Sequence, residues 1–153
     1  MKWIAVDYGE HRTGLAVCDA TELLVTPVTP QIEERSLNKV ADRAAEAMRA
    51  QGAGGVVVGL PRNMDGTEGS RCVKSRRFAA RLAQVCGTAV VLWDERRTTV
   101  SAAGILSGNG VYGADRKARI DSVSAAVILE GFLDWRRAHP DEEPPDLVRP
   151  EQP

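Results

Sequence analysis

Three acidic positions in this chain stand where a folding protein ordinarily places apolar side chains. Asp7 closes the apolar run Trp3-Ile4-Ala5-Val6, and Asp94 and Glu95 close a second, Ala89-Val90-Val91-Leu92-Trp93. Asp121 opens a helical segment on its apolar side. Carboxylates withdrawn from water repel one another and carry a large desolvation cost. A divalent cation offsets that cost, and magnesium and manganese favour such hard oxygen ligands. Two such ions about 3.5–4 Å apart are a common device for hydrolysing phosphodiesters: one acidifies the attacking water and the other stabilises the departing oxygen. The chemistry suggested is metal-assisted phosphodiester cleavage.

Each acid also has a plainer use. Asp7 suits an Asx turn leading into Gly9. Asp121 suits a helix cap or a core ion pair, since the helix macrodipole favours an anion near its start. It nevertheless shares a stripe about 90° wide with Ala125, Ile128, Phe132 and Trp135, while Glu130 and Asp134 fall opposite. Strand alternation points Asp94 and Glu95 to opposite faces, so only one can share the face of Asp7. The residues alone leave that choice open.

The elements that must position these acids follow from hydrophobic period. Residues 3–7 read as a buried strand, Leu15-Ala16-Val17-Cys18 as a second, and Leu24 to Ile32 as a third. Pro27 and Pro30 mark the third as an edge or irregular strand. Short connections make these three an antiparallel meander. Leu37, Val40, Ala41, Ala44 and Met48 recur at helical spacing behind Ser36 as N-cap. Val56-Val57-Val58 suit a strand covered on both faces. A polar loop through Asp65-Gly66 precedes a helix expected from about Thr67 to Cys86. A strand at 89–93, a helix from about Thr98 to Leu106, a glycine-rich loop and a last helix to about Arg137 complete the chain. The class is α/β, with a mixed sheet flanked by helices.

Length and composition bound the rest. A chain of 153 residues with 43% apolar content is one domain able to bury an ordinary core. Cys18, Cys72 and Cys86 are odd in number, and the last two lie roughly 21 Å apart along one helix, beyond disulfide reach. Unpaired thiols suit a reducing compartment, and no apolar run approaches a membrane span. A cytoplasmic protein without membrane contact is expected. After residue 138 the chain holds five of the 21 acids, one of the 20 basic residues and five of the eight prolines. Residues 139–153 are therefore expected to be a disordered acidic tail. The domain 1–138 keeps 19 basic and 16 acidic residues, a net of +3.

Three basic features suit a nucleic-acid partner. Arg12 lies in the turn after Asp7, where a salt bridge to Glu10 or Asp19 is the plainer alternative. Lys74, Arg77 and Arg81 share one helix face, flanked by Arg71 and Arg76, and no acid occurs from Gly69 to Trp93. Such a stripe is usually a solvated face, and it is also what phosphate contacts require. Arg116, Lys117 and Arg119 precede Asp121. The turn Asp65-Gly66-Thr67 offers backbone N–H groups to a phosphate oxygen. With 5% aromatic residues the chain has no stacking platform for single strands. His11 and His139 form no metal motif, and the glycine-rich loop lacks the GK[ST] of a Walker sequence.

The blocks WIAVDYGEHRTGLAV, GLPRNMDGTEG, DERRTT and KARIDSVSAAVIL, spread from about Lys2 to Leu133, together resemble the YqgF family. That family is described as pre-16S ribosomal RNA nucleases and as Holliday-junction-resolvase-like, within the RNase H-like superfamily. The resemblance implies a five-stranded RNase H-like sheet with its first three strands antiparallel. It carries catalytic and metal-binding roles to Asp7, Glu95 and Asp121, with Asp7 bridging two Mg²⁺ or Mn²⁺ ions. It thereby selects Glu95 over Asp94, and it matches Lys117 to a basic position. Arg97 departs from the family pattern, which more often shows Leu, and is read as a change on the surface or substrate side. The implied activity is a nuclease acting on the 5′ end of pre-16S ribosomal RNA. The alternatives are resolution of branched DNA, which calls for a symmetric homodimer, and a non-catalytic nucleic-acid binder. An ATP-binding domain of the actin type is disfavoured, because one short chain lacks the second domain.

Overall fold

The central strands form where the sequence is apolar without interruption. β1 (Trp3–Asp7), β4 (Gly55–Leu60) and β5 (Val90–Asp94) lie next to one another and run parallel. Helices cover both faces, so these strands have no polar side to alternate with. The computed structural model describes residues 1–97 and 113–150, and within 113–121 the backbone alone. β2 (Arg12–Cys18) pairs antiparallel with β1, and β3 (Val25–Glu33) pairs antiparallel with β2. The expected meander is present, and proline-bearing β3 is an edge.

Two hydrophobic layers sandwich the sheet. On one face, Ile4, Val6, Val56, Val58 and Leu92 pack against α1 (Leu37–Ala50) and α2 (Ser70–Cys86). On the other, Trp3, Ala5, Val57, Val91 and Trp93 pack against the last helix, α3 (Gly113–Ala138). Ala125, Ile128 and Phe132 are fully buried there, as their spacing predicts. Ser36 caps α1 through Lys39 N, also as expected.

Three expectations need correction. α2 begins at Ser70 rather than near Thr67, because Thr67 is held in the preceding turn by Asp65 and Asn63. Among the described residues the sheet has six strands, in the order β3-β2-β1-β4-β5-β6. The sixth, β6 (Leu147–Val148), comes from the segment expected to be a disordered tail. Composition misjudged that segment because its few apolar residues find a ready edge. Leu147 and Val148 pair with β5, Asp146 O accepts from Leu92 N at 2.9 Å, and the Asp146 carboxylate meets Arg76 at 2.9 Å. The helix expected at 98–106 lies outside the described residues.

Candidate active site

Asp7 is the last residue of β1, half-buried, and follows Val6, whose register partner on β4 is Val58. It is therefore level with Gly59. Trp3 and Ala5 face α3, so alternation turns Asp7 to the same side. The next residue, Tyr8, stacks on Phe78 of α2 with ring centroids 4.5 Å apart. That contact pins the turn after Asp7 beneath the basic face of α2.

β5 ends differently. After Asp94 the backbone tightens into a 3₁₀ turn over Glu95–Arg97, which breaks the strand alternation. Asp94 is occupied locally: Arg96 holds its carboxylate at 2.7 Å, and Arg96 N donates to it at 2.9 Å. The Arg96 hydrogen bond keeps this carboxyl below the usual range. Glu95 instead is half-buried and extends over β4. Its Oε2 lies 3.1 Å from the point a Cβ on Gly59 would occupy, and Ile128 Cδ1 of α3 lies 2.5 Å from that point. Burial pushes the Glu95 carboxyl up; Arg71 opposes the rise and Asp94 adds to it.

Two carboxylates thus come from the ends of strands flanking β4, on its α3 side. The arrangement fits a hard divalent cation. Both groups offer oxygen donors, and Glu95 is partly withdrawn from water in a way that a nearby positive charge offsets. Asp121 lies on α3, with its side chain outside the described residues, as does that of Lys117. The next residue, Ser122, is buried and donates to Val28 O at 2.9 Å. Among the described residues no three His, Cys, Asp or Glu side chains cluster as a ligand set.

Two clefts open along the start of α2, the first with Glu95 in its wall and the second at the turn that follows Asp7. One, of about 570 Å³, is lined by Asn63, Met64, Gly69, Arg71, Glu95 and Arg96. The other, of about 330 Å³, is lined by Tyr8, Gly9, Glu10, Arg71, Lys74 and Ser75. Arg71, read from the sequence only as a flanking residue, borders both. Lys74 pairs with Glu10, while Arg77 and Arg81 continue the exposed face of α2. Arg76 belongs to a different network, held by Glu68 at 2.7 Å and by Asp146. Arg12 is exposed at the start of β2, opposite Glu33 in the ladder. Arg97 lies over the Trp93 ring at 5.3 Å.

A family model described as RuvX, Holliday junction resolvase, matches residues 1–135. The chain belongs to the RuvX family. Curated relatives within reach of this RuvX chain span nearly its whole length. One from Anaeromyxobacter dehalogenans is 42% identical over 141 residues, covering 89% of this chain and 98% of its own. One from Syntrophus aciditrophicus is 39% identical over 134 residues, covering 88% and 89%. Both bear the name "Putative pre-16S rRNA nuclease". A solved structure of T. thermophilus RuvC in complex with a Holliday junction substrate superposes with a TM-score of 0.56 at 13% identity, covering 90% of this chain and 96% of that one. RuvX and RuvC share the RNase H-like fold, as the sequence led us to expect.

Proposed function

We propose that this chain is a divalent-metal-dependent nuclease that cuts phosphodiester bonds at the 5′ end of precursor 16S ribosomal RNA. The observation that carries this reading is Glu95 leaning over Gly59 on the strand face to which Asp7 also turns, with one basic-walled cleft at Glu95 and another at the turn after Asp7. The relatives' names support the substrate class.

Asp7, Glu95 and Asp121 would hold Mg²⁺ or Mn²⁺, two ions by analogy with the family. A bound divalent ion supplies an acidified water as nucleophile and neutralises charge on the departing oxygen. Asp94, engaged by Arg96, holds the strand end while Glu95 faces the site. Arg71 and Lys74 place positive charge over the turn that follows Asp7, where a phosphate would displace Glu10 from Lys74. Arg77 and Arg81 extend that charge along α2, and Arg12 and Lys117 complete the proposed contacts with nucleic acid.

Branched DNA is the second reading, favoured by the description of the family model. The test is a cleavage assay with purified protein and Mg²⁺ or Mn²⁺, comparing an RNA spanning the small-subunit 5′ end with a four-way junction. The RNA should be cut, EDTA should stop cleavage, and Asp7→Asn or Glu95→Gln should each slow it by more than about 100-fold. Preferential junction cutting selects the second reading. If neither substrate is cut while Asp7→Asn binds RNA at least as tightly, the chain is a binding module.

A further inference from the structure

Neighbouring strands are about 4.8 Å apart, so acids at the ends of β1 and β5 start about two spacings from each other across β4. A shared cation needs their carboxylates closer than that. The chain closes the gap by letting Glu95 lean back over β4, and the strand surface it leans over is Gly59. A side chain there would point toward α3, the side that also carries Asp7. Its first carbon would meet Glu95 Oε2 at 3.1 Å, Glu95 Cδ at 3.2 Å and Ile128 Cδ1 at 2.5 Å. Ile128 can change rotamer or be shortened. The Glu95 carboxylate would have to give way by a few tenths of an ångström from its seat over β4.

We propose that Gly59 is a positioning residue for the metal centre: its missing side chain is the seat that holds the Glu95 carboxylate within reach of the cation shared with Asp7. This rests on the reading of Asp7 and Glu95 as metal ligands. It assigns Gly59 a role that its place in an apolar run does not suggest. The role is steric, so an added carbon at 59 weakens the site without replacing a ligand.

The test separates the seat from the fold. Gly59→Ala alone would strain Ile128, so it is made together with Ile128→Val, which removes the Cδ1 atom in the way. Mn²⁺ binding is followed by electron paramagnetic resonance, and folding by thermal melting, for wild type, Ile128→Val, the double variant and Glu95→Gln. Ile128→Val should bind Mn²⁺ as wild type does. The double variant should melt cooperatively yet bind Mn²⁺ about 10- to 100-fold more weakly, the range seen when residues that orient a ligand are changed. Adding both substitutions to Glu95→Gln should cost no further affinity, because they act through that carboxylate. Equal Mn²⁺ affinity in the double variant and Ile128→Val overturns the role of Gly59. So does a further loss in the Glu95→Gln background. If wild type and Glu95→Gln bind Mn²⁺ alike, the ligand reading itself falls, and Gly59 with it. A double variant that does not fold is replaced by Gly59→Ala with Ile128→Ala, judged by the same comparison with Ile128→Ala alone.

Discussion

At the level of single residues the site is a balance between burial and charge. Glu95 sits over an apolar strand, and among the described residues Arg71 opposes the effect of its burial. A carboxyl whose folded pKa lies above its unfolded value binds its proton more tightly in the native state. Its stabilising effect is full below the unfolded pKa and is lost as pH rises through the folded one. Metal-free Glu95→Gln should therefore melt above metal-free wild type at about pH 7, and the difference should shrink toward about pH 4. Adding Mg²⁺ should raise the Tm of wild type only, since a ligand stabilises the state that binds it. Thermal melts across pH, with and without EDTA, check both signs. The placement of Asp7 and Asp94 at strand ends was legible in the sequence, because charge at the end of an apolar run stands out against packing. Which of Asp94 and Glu95 leans over β4 was not, since alternation stops at the 3₁₀ turn. Gly59 was hidden for another reason: a glycine before Leu60-Pro61 looks like strand punctuation until Glu95 is seen lying across it.

At the level of elements, long periodic segments were legible and contacts between distant segments were not. α1, the meander and the central strands follow from period and proline placement. β6 does not, because two apolar residues among acids and prolines carry no strand signal until the edge of β5 is offered to them. Its anchor is Arg76, which spans Glu68 and Asp146 across partly exposed surfaces. Arg76→Ala should cost about 1 kcal/mol, the upper range for such pairs, and lower the Tm by about 2–4 °C. Hydrogen exchange should quicken at Leu92 N, which donates to Asp146 O. Unchanged exchange there would mean that β6 holds without the ion pair.

Across the whole molecule, charge is sorted rather than abundant. A net of -1 conceals an acidic segment that lies along β5 and a basic face on α2 beside the acids. Phosphate contacts show in salt dependence, each releasing roughly one counterion. Lys74→Ala, Arg77→Ala and Arg81→Ala should each flatten the logarithmic salt slope of RNA binding by about one. Arg76→Ala should change stability and leave that slope alone. Binding titrations at several salt concentrations separate the two kinds of arginine. Helical spacing put Arg77 on the basic face with Arg76 only flanking it, and the fold adds that Arg76 is committed to Glu68 and Asp146.

The order of the sheet also governs how copies of the chain can meet. Among the described residues its lateral margins are β3, which carries Pro27 and Pro30, and β6, only two residues long between Asp146 and Pro150. Both are poor templates for adding a strand from a neighbour. Strand addition at these margins is therefore a poor route to the twin assembly a four-way junction demands, and helices or loops are the better surfaces for it.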